Sequence, residues 1–288
     1  MGECTDSMQL RAPAKINLSF RIIGRREDGF HEIETLMAPI SLCDEITITR
    51  TRDRDGIDFA CDDPALPTGT DNLVVRAARI FFGETRIAAE VRIELRKKIP
   101  HGAGLGGGSS DAARVLLGLD RMFQTSLGTK TLARLAAGIG SDVPFFLYES
   151  AAVCRGRGEL VTPVAAFASL PLLLFKPGFG VPTPWAYARW SDSRELPGIR
   201  YAAQEHGGHI FGNDLERPVF EKHLFLAQTK MWLLAQPEVA VALMSGSGST
   251  VFSVLREPES AESLVERARA ELDPELWSCA CETSLPAA

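Results

Sequence analysis

Residues 100–111 read PHGAGLGGGSSD, with five glycines (Gly102, Gly104, Gly106, Gly107, Gly108) inside seven positions. So few side chains cannot build a core, so the segment must be held by regular elements on either side. Before it, Val91, Ile93 and Leu95 alternate with Arg92 and Glu94, the period of a half-buried strand. After it, Ala112, Val115, Leu116, Leu119, Met122 and Phe123 fall on one helical face, predicting a helix from about Ser109. Glycines admit positive φ and close approach of backbone to a ligand. A helix start offers unpaired N–H groups and the positive end of the dipole. Together they form a phosphate cradle, to which Ser109 and Ser110 add hydroxyls for phosphate oxygens or a magnesium ion. The competing view, a flexible loop ending in a serine cap, does not account for glycines set directly against an amphipathic helix.

Other glycine loops are excluded on spacing. Gly102, Gly104 and Gly107 fit G-x-G-x-x-G, but Lys97–Pro100 separate them from the strand and the acidic residue of a dinucleotide site is missing. No lysine follows the glycines as in a Walker A loop, and neither H-R-D nor D-F-G occurs.

At 288 residues the chain has room for two domains of roughly 150 residues each. A boundary is expected near 164–169, giving units 1–165 and 166–288. The composition, 45% hydrophobic and 24% charged, is that of a folded chain. A net charge of −6 argues against broad binding to nucleic acid or an anionic membrane, so the charge of an anionic ligand must be met locally. The longest apolar run lies near Leu170–Phe175, far short of a membrane span. Residues 1–10 lack the basic start and apolar middle of a signal peptide. Cys4, Cys43, Cys61, Cys154, Cys279 and Cys281 have no framework spacing, so reduced thiols and a cytoplasmic location are expected. The pairs His206/His209 and Cys279/Cys281 lack a four-ligand zinc spacing, and no dedicated metal site is expected.

Strands are expected at 16–22, 46–49, 91–95, 170–175 and 250–255. Helices are expected at 73–81 with Thr70 or Asp71 as cap, at 112–123, at 132–139, as one helix through Phe220–Leu234, and at 261–272. Strands come in groups followed by helices, which predicts an α+β fold. The polar segment Ser191–Gly208 is expected to be a mobile loop.

Two further segments carry chemistry. APAKINL (12–18) places Lys15 in a strand, and GIGSDVPFF (138–146) places Asp142 in a turn after a helix. Alone, each reads as a solvated lysine and a turn cap. With the glycine loop and MSGSGSTVF (244–252), they form an ordered set that resembles the GHMP kinase superfamily. GRREDGFHEIETLM (24–37), DNLVVRAA (71–78), GSDVPFFL (140–147), FKPGFGVPTPWAY (175–187) and NDLE (213–216) are most similar to its branch acting on 4-diphosphocytidyl-2-C-methyl-D-erythritol in non-mevalonate isoprenoid synthesis.

The resemblance implies a two-domain GHMP kinase fold with the active site in the cleft between domains. It implies transfer of the γ-phosphate of ATP to the 2-hydroxyl of that substrate. Asp142 then matches the catalytic aspartate, orienting the hydroxyl and accepting its proton. Lys15 matches the catalytic lysine, stabilising developing charge. Pro100, His101, Gly102, Ala103, Gly104, Leu105, Gly106, Gly107, Gly108, Ser109 and Ser110 match the ATP phosphate loop. Asn72 and Lys97 match positions near base and ribose, and Mg2+ is expected with ATP near Ser110. His31 matches a cytosine-binding histidine, and Phe30 and Tyr187 the aromatics that sandwich the base. Asn17 and Thr183 match substrate contacts, and Ser245, Gly246, Ser247 and Gly248 the third motif, lining the site from the second domain. The same resemblance leaves a homoserine- or mevalonate-type kinase, a related decarboxylase and an RNA-binding module as alternatives. It implies a small-molecule partner, no nucleic acid or membrane, and a monomer or homodimer.

Overall fold

The computed structural model describes residues 7–51, 55–164 and 168–283. In chain order the elements are β1 (Ser7–Arg25), β2 (His31–Arg50), β3 (Gly56–Cys61), α1 (Leu73–Thr85), β4 (Glu90–Arg96), α2 (Gly107–Met122), α3 (Gly128–Ile139), β5 (Ala152–Gly156), β6 (Leu160–Pro163), β7 (Pro171–Lys176), α4 (Thr183–Arg189), β8 (Gln204–His206), β9 (His209–Asn213), α5 (Glu216–Lys222), α6 (Leu224–Leu234), β10 (Val239–Met244), β11 (Val251–Leu255), α7 (Ala261–Glu271) and β12 (Trp277–Glu282). A larger sheet runs β3-β4-β2-β1-β9-β8, with β5 and β6 continuing from β2, and a smaller sheet runs β10-β11-β7-β12.

The two sheets pack face to face, and helices cover both outer sides. β7 shows why its sequence reads as an unbroken apolar run. Leu172 and Leu174 join Ile16, Leu18 and Ile40 in the core between the sheets, while Leu173 and Phe175 join the core under α5–α7. A strand buried on both faces has no polar alternation to keep. On the far side, α1, α2 and α3 bury Phe81, Val115, Leu116 and Leu135 against Ile46, Ile48 and Ile93. Each such side chain contributes roughly 1.5–3 kcal/mol on burial.

β1 holds the detail that creates the site. Its pairing with β2 slips between Pro13 and Lys15. Ahead of the slip Ala12 faces the helices, and beyond it Ala14, Ile16 and Leu18 face the second sheet. Ile40, Ser41 and Leu42 of β2 stand there opposite Ala14 alone, and the faces change across this irregularity, so Lys15 and Asn17 come to lie on the glycine-loop side.

Three expectations are corrected. The cap of α1 is Asn72, whose Oδ1 accepts from Val74 N at 2.9 Å, not Thr70 or Asp71. The helix expected through 220–234 is two, broken at His223, whose backbone (φ −116, ψ 72) leaves the helical region. The apolar spacing continued across the break because both pieces pack on the same core. The segment 191–208 is not a loop throughout: its end forms a hairpin with β9, turning at Gly207 (φ 57) and Gly208 (φ 77). That turn is the HGGH sequence, so His206 and His209 sit opposite one another in a strand pair. Buried Gln204 donates from Nε2 to Ala242 O and accepts from Ala242 N at Oε1, which fixes the hairpin to β10.

The expected boundary at 165/166 falls on residues outside the described ones. Beyond it, β8 and β9 return to the larger sheet, Ser19 and Phe20 of β1 pairing with Gly212 and Asn213.

Candidate active site

Lys15 is 3% exposed. Its Nζ donates to Asn17 Oδ1 at 2.7 Å and to Gly104 O at 3.0 Å, and stands 3.6 Å from Asp142 Oδ2. Asn17 Nδ2 donates to Thr35 Oγ1 (2.9 Å), which donates to Ser19 O (2.6 Å). The lysine is thus held from below, while the Asp142 carboxylate, 37% exposed, stays open to the cleft. Asp142 sits in the turn that follows α3, after Gly140 ends that helix in extended backbone.

The glycine loop lies directly on this pair. Lys15 N donates to Leu105 O at 2.9 Å. Gly104 and Gly106 adopt φ of 73° and 71°; a Cβ on Gly104 would lie 2.3 Å from the Ser245 backbone oxygen, and one on Gly106 would crowd the Lys15 side chain at 3.1 Å. Glycine is therefore required at both by conformation and at Gly104 also by space. Gly106 precedes α2 without a side-chain cap, and the first turn holds no acidic residue. Its N–H groups and dipole are left for an anion.

These parts enclose one cavity of about 430 Å³. Of the expected residues, Lys15, Asn17, Asp142, Asn72, Lys97, Pro100 through Ser109, Thr183, Tyr187, Gly246 and Ser247 line it. Ser110 does not: it is fully buried, and its Oγ has no hydrogen-bond partner. Ser245 and Gly248 build the third-motif turn behind the wall, Ser245 Oγ donating to Gly104 O (3.0 Å) and Gly248 N to Ser245 O (2.9 Å).

At one end, Leu66, Pro67, Leu73 and Leu95 form an apolar wall beside Asn72 and Lys97. Both polar side chains are already committed. Asn72 caps α1 and donates to Pro67 O at 2.9 Å. Lys97 Nζ pairs with Asp44 and, at 3.0 Å, with Asp111. Asp44 also accepts from Lys98 N and Ile99 N, which pins the strand exit to β2. Burial pushes the Asp111 carboxyl up to about 8 against the opposing pull of Lys97. Asp44 and Asp111 went unnoticed in the sequence because only the fold brings them to one lysine.

At the other end, His31 at the start of β2 stacks on Tyr187 (5.3 Å, 28°) and meets the edge of Trp190 (6.0 Å, 82°). Burial and Arg25 hold the His31 imidazole below its ordinary pKa, which favours the neutral ring with one donor and one acceptor. Phe30 is not brought to Tyr187. It is 51% exposed on the β1–β2 turn, with the Arg157 guanidinium 4.6 Å from its ring. The structure therefore pairs Tyr187 with His31 rather than with Phe30. Trp190 escaped the sequence analysis because it lies past α4, outside every motif. Thr183 and Ser247 hydroxyls share a hydrogen bond of 2.8 Å across the cleft.

Among the described residues no group of three His, Cys, Asp or Glu side chains could hold a metal, five cysteines are free, and no helix is long and apolar enough to cross a membrane.

Known proteins resemble this chain in sequence and fold. Residues 72–150 match the model of the GHMP kinases N terminal domain and residues 199–273 that of the GHMP kinases C terminal domain. The chain is 44% identical over 270 residues to the 4-diphosphocytidyl-2-C-methyl-D-erythritol kinase of Methylacidiphilum infernorum, covering 92% of this chain and 93% of that one. It is 37% identical over 270 residues to the enzyme of the same name from Pelobacter propionicus, covering 92% and 94%. A crystal structure of 4-(cytidine 5'-diphospho)-2C-methyl-D-erythritol kinase superposes with a TM-score of 0.78 at 37% identity, covering 96% of this chain and all of that one. The likeness thus runs along nearly the whole length of the chain, and the chain belongs to the GHMP kinase family, ATP-using phosphotransferases, in the branch of the 4-diphosphocytidyl-2-C-methyl-D-erythritol kinases.

Proposed function

We propose that the protein transfers the γ-phosphate of ATP to the 2-hydroxyl of 4-diphosphocytidyl-2-C-methyl-D-erythritol, giving the 2-phosphate and ADP, in isoprenoid precursor synthesis. The carrying observation is that Lys15 and Asp142, 3.6 Å apart, stand in one cavity between the glycine loop and Tyr187. The triphosphate rests on the N–H groups of 102–109, its base toward Leu66 and Leu73. Lys97 and Asn72 shape that end, with Asp44, Asp111 and Pro67 holding them in place. The cytosine lies at the His31–Tyr187 end, where the neutral imidazole presents a donor and an acceptor to its edge. Phe30 closes over the base from the turn, and Asn17 and Thr183 face the sugar alcohol.

In the reaction, the substrate hydroxyl oxygen forms a bond to the γ-phosphorus. The bond from that phosphorus to the β–γ bridging oxygen breaks, and ADP leaves with its electron pair. The hydroxyl proton passes to Asp142. The Lys15 ammonium faces the charge carried by the phosphoryl group in transit. Magnesium would arrive with ATP and offset the charge of the triphosphate. Ser110 Oγ lacks a protein partner but is fully buried and does not line the cavity, so the residues present offer magnesium no ligand at the expected serine, and no step is routed through it.

The segments GFH, PTPWAY and GSDVPFF favour this substrate over homoserine or mevalonate. An acidic chain carrying Lys15 and Asp142 together does not suit an RNA-binding module. A division at 165/166, a cytoplasmic location with reduced thiols, and a monomer or homodimer complete this reading.

The direct test is ADP release with the cytidyl substrate. A finer one uses the aromatics. Tyr187→Ala is expected to raise KM for this substrate about tenfold or more, since ring stacking contributes roughly 1–3 kcal/mol per base, with KM for ATP unchanged. Phe30→Ala should have a smaller effect of the same kind, because its ring stands at the rim. Unchanged substrate KM in both variants would reject the placement of the cytosine.

A further inference from the structure

Asn213, the last residue of β9, is 8% exposed and does not line the cavity. Leu215 N donates to its Oδ1 at 2.9 Å, which fixes the orientation of the amide. Its Nδ2 then donates twice into the third-motif turn, to Met244 O at 2.8 Å and to Gly246 O at 2.7 Å. Glu216, three residues further on, accepts from Met244 N at 2.9 Å and is neutralised by buried Lys230. Two side chains of NDLE therefore hold the turn from behind. The same segment is tied to β1, where Asp214 N donates to Phe20 O and Asp214 Oδ2 accepts from Ile22 N.

This clamp has a directional consequence. In a planar trans peptide, the carbonyl of one residue and the N–H of the next point opposite ways. With Gly246 O turned to Asn213, the N–H of Ser247 points away from it. Gly246 and Ser247 line the cleft on that other side. Within the turn, Ser245 N donates to Thr250 O and Gly248 N to Ser245 O, while Ser247 N has no acceptor among the described residues. The turn also lies close to the reacting groups: a Cβ on Gly246 would be 3.2 Å from Asn17 Oδ1 and 3.5 Å from Lys15 Nζ.

We propose that Asn213 is a positioning residue that orients the Gly246–Ser247 peptide, so that the Ser247 N–H donates to the phosphoryl group in transit beside Lys15. The inference rests on the phosphotransfer assigned above. A donor aimed at charge that develops only in the transition state raises kcat and leaves ground-state binding almost unchanged.

The test compares Asn213→Ala and Asn213→Ser with the unaltered protein, measuring kcat and both KM values and checking folding by circular dichroism. Loss of the clamp in Asn213→Ala is expected to lower kcat by about 10²-fold, the scale of an ångström-sized misplacement, with both KM values within about threefold. Asn213→Ser keeps one short donor and should recover part of that loss. If the alanine variant does not fold, the serine variant decides alone. A folded variant with unaltered kcat, or a loss that appears equally as raised KM, would overturn the assignment. Slow ATP hydrolysis without acceptor is followed in parallel. Hydrolysis by the unaltered protein with no transfer to the cytidyl substrate would fail the proposed function and leave this inference to the hydrolysis rates. Variants hydrolysing ATP as fast as the unaltered protein would fail this inference alone.

Discussion

Asp142→Asn is expected to reduce kcat by about 10²–10⁴-fold, the usual contribution of a positioned general base, while KM for ATP stays within a few-fold. The asparagine amide has the shape of the carboxylate but cannot take the hydroxyl proton. The Asp142 side chain is 37% exposed, so the substitution buries no new group, but it takes the anionic neighbour from buried Lys15 and should lower Tm modestly. In the proposed placement ATP contacts run through the loop backbone at 102–109, so nucleotide affinity is not expected to depend on this carboxylate. Steady-state kinetics with both substrates checks the split. A variant with near-normal kcat would remove Asp142 from the proton transfer.

Lys15→Met should be at least as damaging, and in two ways. The ammonium that faces the phosphoryl group is lost, and removal of one such charge-stabilising donor typically costs about 10²–10³ in kcat. The methionine keeps the apolar stem that packs against Gly106. It nevertheless leaves Asn17 Oδ1 without its donor, while Gly104 O keeps only that from Ser245 Oγ. A buried unsatisfied polar group costs about 1–3 kcal/mol, so Tm should fall as well. Kinetics and thermal unfolding on the same preparation separate the effects. Lost turnover at unchanged Tm would mean that the lysine acts on the reaction without bracing the loop. Intact turnover would contradict its catalytic assignment.

The glycine loop and its helix were legible in the sequence because their signals are local. Glycines next to a helical period leave few structural options, and the positive φ at Gly102, Gly104 and Gly106 follows from composition. Lys15 and Asp142 were individually ambiguous and gained meaning from the ordered motifs around them. What stayed hidden was set by long-range geometry. The slip at Pro13/Lys15 decides which face of β1 meets the cleft, yet the alternation Ile16, Leu18, Phe20, Ile22 reads the same with or without it. Asp44 and Asp111 became partners of Lys97 only through the pairing of β2 with β4 and the seat of α2. The break at His223 was masked because apolar spacing runs through it. The 204–213 hairpin was masked by its polar surface strand, although Gly207–Gly208 between short alternating runs was a turn signal that could have been read.

Phe30 and Tyr187 illustrate a further limit. A motif can carry a residue to the right end of the cleft without giving its facing. Tyr187 meets His31, and Phe30 stands outside under Arg157.

The most direct measurement is ADP release by the purified protein with ATP and each of three acceptors: 4-diphosphocytidyl-2-C-methyl-D-erythritol, homoserine and mevalonate. Stoichiometric ADP with the cytidyl alcohol alone, accompanied by one new phosphate monoester on its 2-hydroxyl, is the predicted result. No ADP above background with that acceptor, or faster release with homoserine or mevalonate, would contradict it.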